Sequence, residues 1–222
     1  EAAIIMGGGV DALEIDPEYA GAIDTLNRRV PCILCCEQAE KFGCIGVHTD
    51  TKKKAKLLVE YLLKKDYRTV GILGGAANGP YGRYPTALLY ECLQQYAEEA
   101  GLEIRPEWIH GQSYDEKDGE EAMRALLDQK ELPRAVCCIN DYVAYGAILA
   151  AKDAGLRVPE DIACIGSDNI HIASMMRPNL TTVAVDFEKM GSLIFENIVA
   201  RKNGTKTESC LLEPILIEGD ST

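Results

Sequence analysis

The chain has 222 residues, of which 47% are hydrophobic, so it can bury a sizeable core as one domain or as two small ones. Its formal net charge is −12, which argues against a domain that grips DNA or RNA by itself, because such domains are usually basic. We find no signal-peptide pattern and no apolar run long enough to span a bilayer, so we expect a cytoplasmic protein.

The predicted elements alternate between strands and helices from the first residues onward. A helix begins at Pro17, with Asp16 as its N-cap, and Gly155 fits the C-cap of a later helix. Strands are predicted at 1–7, 30–36, 44–47, 69–73, 108–110, 135–139, 162–166, 181–185 and 211–218, further helices at 51–65, 84–100, 116–129, 142–154 and 187–202, and a glycine-rich loop at 74–80. Continuous apolar strands that alternate with helices are typical of doubly wound parallel sheets covered on both faces. The sequence therefore predicts an α/β fold.

The sequence lacks the residue patterns that catalysis and cofactor binding require. The stretch 71–75 is rich in glycine, but it matches neither the dinucleotide-binding fingerprint nor a P-loop. No nucleophile elbow occurs, and His48, His110 and His171 lack the spacing of metal ligands. The nine cysteines lie mostly in apolar strands, which favours buried free thiols. We therefore expect no enzyme activity, no cofactor and no metal.

Polar side chains follow several predicted strands, and these are the candidate ligand-binding residues. Asn140 follows the strand at 135–139, and Asp168 follows the strand at 162–166. The carboxyl ends of parallel strands form the ligand crevice of such sheets, so both residues are expected on the same rim. Asp50 also follows a strand, and Arg83 lies in a loop after one. The alternatives stay open: Asn140 and Asp50 as N-caps, Asp168 as a turn residue and Arg83 as a surface residue.

Six segments together resemble successive signatures of the lactose-repressor (LacI/GalR) family of bacterial transcription regulators. Their order and spacing fit the family over nearly the whole chain. The segments are Val47–Asp50, Tyr67–Gly75, Ile139–Ala147, Gly155–Ile162, Ile165–Asn169 and Pro178–Val183.

This resemblance implies two α/β subdomains of the type I periplasmic-binding-protein kind, with a small effector held between them. The N-terminal subdomain would comprise 1–48 and 184–207 and the C-terminal one 49–183 and 208–222. The family's helix-turn-helix, its hinge helix and the first one or two βα units would be missing, since Ala3–Met6 aligns with the family's third strand.

The resemblance also assigns roles to single residues. Asn140 and Asp168 match effector-contacting positions, and Asp50 matches a residue at the hinge of the cleft. Arg83 is displaced by two residues from the position of the family's arginine. Ser167 stands where the family usually has an aromatic residue between Gly and Asp.

The resemblance predicts the effector-binding and dimerisation region of a transcription regulator. A sugar or a purine-like effector would bind, the protein would form a homodimer, and operator DNA would be contacted only through the missing N-terminal domain. The alternative is a periplasmic sugar-binding protein of an ABC transporter. The sequence upstream of Glu1 would separate the two, since it would hold either a basic helix-turn-helix or a signal peptide.

Overall fold

The computed structural model describes residues 1–75 and 82–222, which form two compact units. The first unit comprises 1–50, 83–85 and 186–213, and the second comprises 51–82, 86–185 and 214–222. Each unit is built around its own sheet.

The sheet of the first unit has four strands in the order β1-β2-β3-β9, and all neighbouring strands are parallel. Two helices accompany them, and the first begins as predicted, because the Asp16 carboxylate accepts hydrogen bonds from the amides of Glu18 and Tyr19. The elements are β1 (Ala3–Ile5), α1 (Pro17–Asn27), β2 (Cys32–Leu34), β3 (Ile45–Thr49), α7 (Phe187–Lys202) and β9 (Cys210–Leu212).

The sheet of the second unit has six strands in the order β10-β8-β7-β6-β4-β5. Its strands are parallel except for β10, which pairs antiparallel with β8. Its strands are β4 (Val70–Leu73), β5 (Ile109–His110), β6 (Ala135–Cys138), β7 (Ala163–Asp168), β8 (Thr181–Ala184) and β10 (Ile215–Ile217). Its helices are α2 (Thr51–Lys64), α3 (Tyr84–Ala100), α4 (Glu116–Leu127), α5 (Asp141–Asp153) and α6 (His171–Met175). The first two residues of α3, Tyr84 and Pro85, are assigned to the first unit.

Both faces of the six-stranded sheet are covered. Every residue of β4, β6 and β8 is buried, although successive side chains of a strand point to opposite faces. One continuous hydrophobic cluster joins these strands to α2, α3, α4 and α5. The α/β class with parallel sheets is therefore confirmed.

The end of the chain differs from the prediction. The apolar run 211–218 was expected to form one closing strand, but it forms β9, which pairs with β3, and β10, which pairs with β8. Glu213-Pro214 separates the two, and proline cannot donate to a sheet ladder. Residues 208–213 consequently pack in the first unit, whereas the sequence analysis assigned 208–222 to the second subdomain.

The predicted glycine-rich loop and the predicted free cysteines remain to be compared with the structure. The predicted loop at 74–80 lies outside the described residues from position 76 onward. All nine cysteines are free thiols, and most of them are buried.

Candidate functional site

Asn140 and Asp168 lie at the same edge of the six-stranded sheet. Strands β6 and β7 are parallel neighbours, with Cys137 opposite Ile165. Asn140 follows the last residue of β6, Cys138, by two positions, and Asp168 is the last residue of β7, so both lie at the carboxyl ends of neighbouring parallel strands. We call this part of the sheet the carboxyl edge, and ligands of open α/β sheets bind at such edges.

Asn140 uses both ends of its side-chain amide. Its Oδ1 accepts a hydrogen bond of 2.8 Å from the amide of Val143, so Asn140 is the N-cap of α5. Its Nδ2 donates a bond of 2.8 Å to the carbonyl oxygen of Tyr114. The N-cap alternative is therefore real, but the same side chain also ties the loop that carries Tyr114 to the carboxyl edge.

Tyr114 is a candidate residue that the sequence analysis missed. It lies between β5 and α4 and is 37% exposed as a residue, so it is available to a ligand. Its hydroxyl shares a hydrogen bond of 2.7 Å with the hydroxyl of Thr86. A lone tyrosine in a polar loop carries no periodicity or spacing signal, and only the fold brings it to Asn140.

Asp168 ends β7 in a strained backbone conformation. Its φ is 101° and that of Asn169 is 52°, values that residues other than glycine seldom adopt. The turn is fixed from both sides, because the amide of Asn169 donates to the hydroxyl of Thr182 and the amide of Ile170 donates to the carboxylate of Asp141. Asp168 is therefore a turn residue as well as a ligand candidate, and its half-buried carboxylate sits on a rigid support.

Asp141 supplies that support from a fully buried position at the start of α5. Its carboxylate accepts hydrogen bonds from the Thr182 hydroxyl at 2.6 Å and from the Ile170 amide at 2.8 Å. Burial raises the pKa of Asp141 to about 6, and the negative charge of Asp168 adds to this rise. The two hydrogen bonds and the positive charge of Lys54 lower the pKa and so oppose the rise.

The other two predicted site residues, Asp50 and Arg83, belong to the first unit. The amide of Asp50 donates to the carbonyl oxygen of Leu212 at 3.0 Å, directly before α2. Arg83 forms an isolated antiparallel bridge with Ala12. Burial raises the pKa of Asp11, and the positive charge of Arg83 partly offsets that rise.

The chemistry of the carboxyl edge suits a small polar ligand. Asp168 offers carboxylate acceptors, Asn140 an amide, and Tyr114 a hydroxyl and an aromatic face. Within residues 1–75 and 82–222, no group of three or more His, Cys, Asp or Glu side chains is arranged to hold a metal ion. In the same residues, no helix combines the length and apolar character that a bilayer span needs.

Curated relatives are similar in sequence to most of this chain. One is the HTH-type transcriptional repressor PurR of Serratia proteamaculans, which is 38% identical over 162 residues, or 71% of this chain and 46% of that protein. The PurR of Pasteurella multocida is 36% identical over 157 residues, again 71% of this chain and 46% of that protein. The chain thus spans about half the length of the curated relatives it matches.

Solved structures share the fold. A LacI-family transcriptional regulator from Arthrobacter sp. FB24, in complex with lactose, has a TM-score of 0.82 and 24% identity and covers all of this chain and 78% of its own. A putative LacI-family regulator from Sanguibacter keddieii has a TM-score of 0.76 and 27% identity, with coverage of 86% and 71%.

The family profile of the periplasmic binding protein-like domain matches residues 59–222, which is most of the chain. With the two repressors and the two LacI-family structures, this match confirms the resemblance seen in the motifs. The chain belongs to the family of periplasmic binding protein-like domains.

Proposed function

We propose that this chain is the effector-binding region of a LacI-type transcription regulator and that it is not an enzyme. The observation that carries the proposal is the placement of Asn140 and Asp168 at adjoining ends of β6 and β7. Two side-chain hydrogen bonds fix the strand ends. Asn140 caps α5, and the Asp141 carboxylate accepts a bond from the turn after Asp168. A preformed polar edge of this kind binds a small molecule without a large ordering cost.

The effector class is a sugar or a purine-like molecule. Asp168 accepts hydrogen bonds from hydroxyl or ring N–H groups, Asn140 can donate or accept, and the exposed ring of Tyr114 can stack on an apolar sugar face or a base. The Arthrobacter protein holds lactose, and the curated relatives are repressors named PurR. Both are consistent with this class. Asp50 and Arg83 belong to the first unit, and their role in ligand binding stays a prediction from the sequence.

Regulation follows from a shift between conformations. An effector that binds one conformation more tightly raises the population of that conformation. The DNA-binding activity would reside in a helix-turn-helix domain like that of the HTH-type relatives, and this chain with its net charge of −12 would contact operator DNA only through it. The repressor names of the relatives favour this function over a transport binding protein.

The protein is proposed to act as a homodimer, and one surface of the second unit fits that role. Five apolar or aromatic side chains of α5, α6 and the residue after it surround a groove of about 660 Å³. Met175 is 64% exposed and Tyr142 is 49% exposed, and an apolar patch of this kind is typical of an interface. The five are Tyr142, Tyr145, Ile172, Met175 and Met176. We call them the α5–α6 surface, and a second copy of the chain is its proposed occupant.

A thermal-shift screen of the full-length protein tests the effector proposal. A pool of neutral sugars and nucleobases should raise the melting temperature, because a ligand that binds only the folded state stabilises it. Asp168→Ala should abolish this increment while leaving the melting temperature of the unliganded protein almost unchanged. Asp128→Ala, which removes an exposed carboxylate of the same unit, is the matched control and should keep the increment. An increment that survives Asp168→Ala would remove Asp168 from the site.

A further inference from the structure

Lys54 reaches the carboxyl edge from the first turn of α2. Its ammonium donates a hydrogen bond to the hydroxyl of Ser167, a residue 113 positions away in the chain and almost fully buried in β7. Ser167 stands where the LacI resemblance expects an aromatic side chain. A small residue at this position leaves the space through which the lysine enters.

Two hydrogen bonds connect Lys54 to Asp168 through Ser167, and both donate towards Asp168. An ammonium has only donors, so the Ser167 oxygen must accept from Lys54, and the Ser167 hydroxyl is then free to donate. It donates to Oδ1 of Asp168 at 3.0 Å. The positive charge of Lys54 also acts on Asp141, where it opposes the effect of burial. The lysine thus lies within electrostatic reach of both carboxylates beside the site.

We propose that Lys54 is a positioning residue of the effector site, which holds the Asp168 carboxylate in one orientation through Ser167. The inference rests on the proposed function. One oxygen of Asp168 accepts a hydrogen bond from Ser167, and the remaining acceptor positions of the carboxylate are left for an effector. The site therefore takes an effector that presents a hydroxyl or a ring N–H to Asp168, and an effector that offers only acceptors at that point is rejected.

The first test needs no effector and measures the side-chain rotamer of Asp168. Three-bond NMR couplings from its Cγ to the backbone nitrogen and carbonyl carbon report χ1 directly. The native protein should show a single rotamer, and Lys54→Met and Ser167→Ala should show averaging. Lys54→Arg keeps a charged donor and should retain the single rotamer. Lys52→Met removes an exposed lysine from the same helix and is the control for net charge. A single rotamer in both Lys54→Met and Ser167→Ala would overturn the proposal.

The second test uses the sugar or nucleobase that gives the largest increment in the thermal-shift screen. Lys54→Met and Ser167→Ala should each weaken its binding by about tenfold, the loss expected for one hydrogen bond. The double variant should lose no more than Ser167→Ala alone, because Lys54 acts through Ser167. Losses that multiply in the double variant would contradict this route.

The two proposals fail in different ways. If Asp168→Ala leaves effector binding unchanged while the rotamer results hold, the assigned site is wrong and the positioning contact stands. If Asp168→Ala abolishes binding while Lys54→Met behaves like Lys52→Met in both experiments, the site stands and the role of Lys54 is wrong.

Discussion

The carboxylate of Asp141, which is fully buried at the start of α5, accepts a hydrogen bond of 2.6 Å from the hydroxyl of Thr182 in β8. A second bond from the amide of Ile170 connects the same carboxylate to the residue before α6. One side chain thus joins three elements behind the carboxyl edge. The energy of this junction depends on the protonation state of Asp141.

We expect Asp141 to make the stability of the protein depend on pH. Burial raises its pKa from 3.8 to about 6, so the folded state binds the proton more tightly than the unfolded chain does. Its contribution is therefore fully present below about pH 4 and is lost as pH rises through about 6. The free energy of unfolding of the native protein, minus that of Asp141→Asn, should fall by about 3 kcal/mol across this range.

Urea unfolding at several pH values measures this difference. Asp161→Asn is the control, because the contribution of Asp161 to the free energy of unfolding should change with pH in the opposite direction. Hydrogen bonds from Arg157 lower the pKa of Asp161 to about 2. Its stabilising contribution is present above about pH 4 and is lost as pH falls through about 2. A native-minus-Asp141→Asn difference that stays constant from about pH 4 to about pH 7 would contradict the role given to Asp141.

Asn140 should contribute separately to stability and to effector binding. Asn140→Ala removes the acceptor for the Val143 amide, and the loss of this N-cap should lower the free energy of unfolding by about 1 kcal/mol. Asn140→Ser keeps an acceptor for the cap but loses the bond from Nδ2 to Tyr114. Serine should therefore restore the unfolding energy while leaving the effector-induced rise in melting temperature reduced. Full recovery of both quantities with serine would limit Asn140 to capping.

The sequence predicted helix positions well where local chemistry determines them. Asp16 and Pro17 mark the start of α1, and Gly155, with a φ of 83°, follows the end of α5 as a C-cap glycine should. Pro214 interrupts the run 211–218, but the sequence does not show which sheet each half joins, because both halves are apolar. Which sheet each half joins depends on β3 and β8, which are distant in sequence.

The candidate site was only partly predictable, because some of its contacts join residues that are distant in sequence. Asn140 and Asp168 follow apolar runs, so their position at strand ends could be seen directly. Lys54 belongs to a run of three lysines at 52–54, which gives no sequence signal for a site, and its contact with Ser167 depends on how α2 packs beside β7. The burial of Asp141 is equally a tertiary effect, since nothing in Asn140-Asp141 distinguishes the capping residue from the buried one.

The α5–α6 surface should mediate self-association. Met175→Glu places a charge on its most exposed apolar side chain and should raise the dissociation constant of the dimer by about tenfold or more. Leu132→Glu changes an exposed leucine of the same unit, 38% exposed, and should leave the dimer intact. Sedimentation equilibrium of the full-length variants gives the dissociation constants. Equal constants for both variants would place the interface elsewhere.

Helices α4 and α5 should tolerate no side chain at the point where they cross. A Cβ atom at Gly146 would lie 1.8 Å from the carbonyl oxygen of Glu116, and one at Gly119 would lie 2.1 Å from that of Val143. Both obstacles are backbone atoms, so the helices themselves must separate to admit a methyl group. We expect Gly146→Ala to lower the free energy of unfolding by about 3 kcal/mol, at the upper end for overpacking.

Gly191→Ala is the matched control for this substitution. Gly191 lies inside α7, and a Cβ atom there would meet nothing within 4 Å. Alanine should therefore raise the free energy of unfolding by about 0.5–1 kcal/mol, because it restricts the unfolded chain and favours the helix. Urea unfolding of the two variants should thus give shifts of opposite sign. If Gly146→Ala is as stable as Gly191→Ala, α4 and α5 do not cross in backbone contact. In that case Asn140 and Asp141, at the start of α5, would lose the rigid support that the proposed effector site requires.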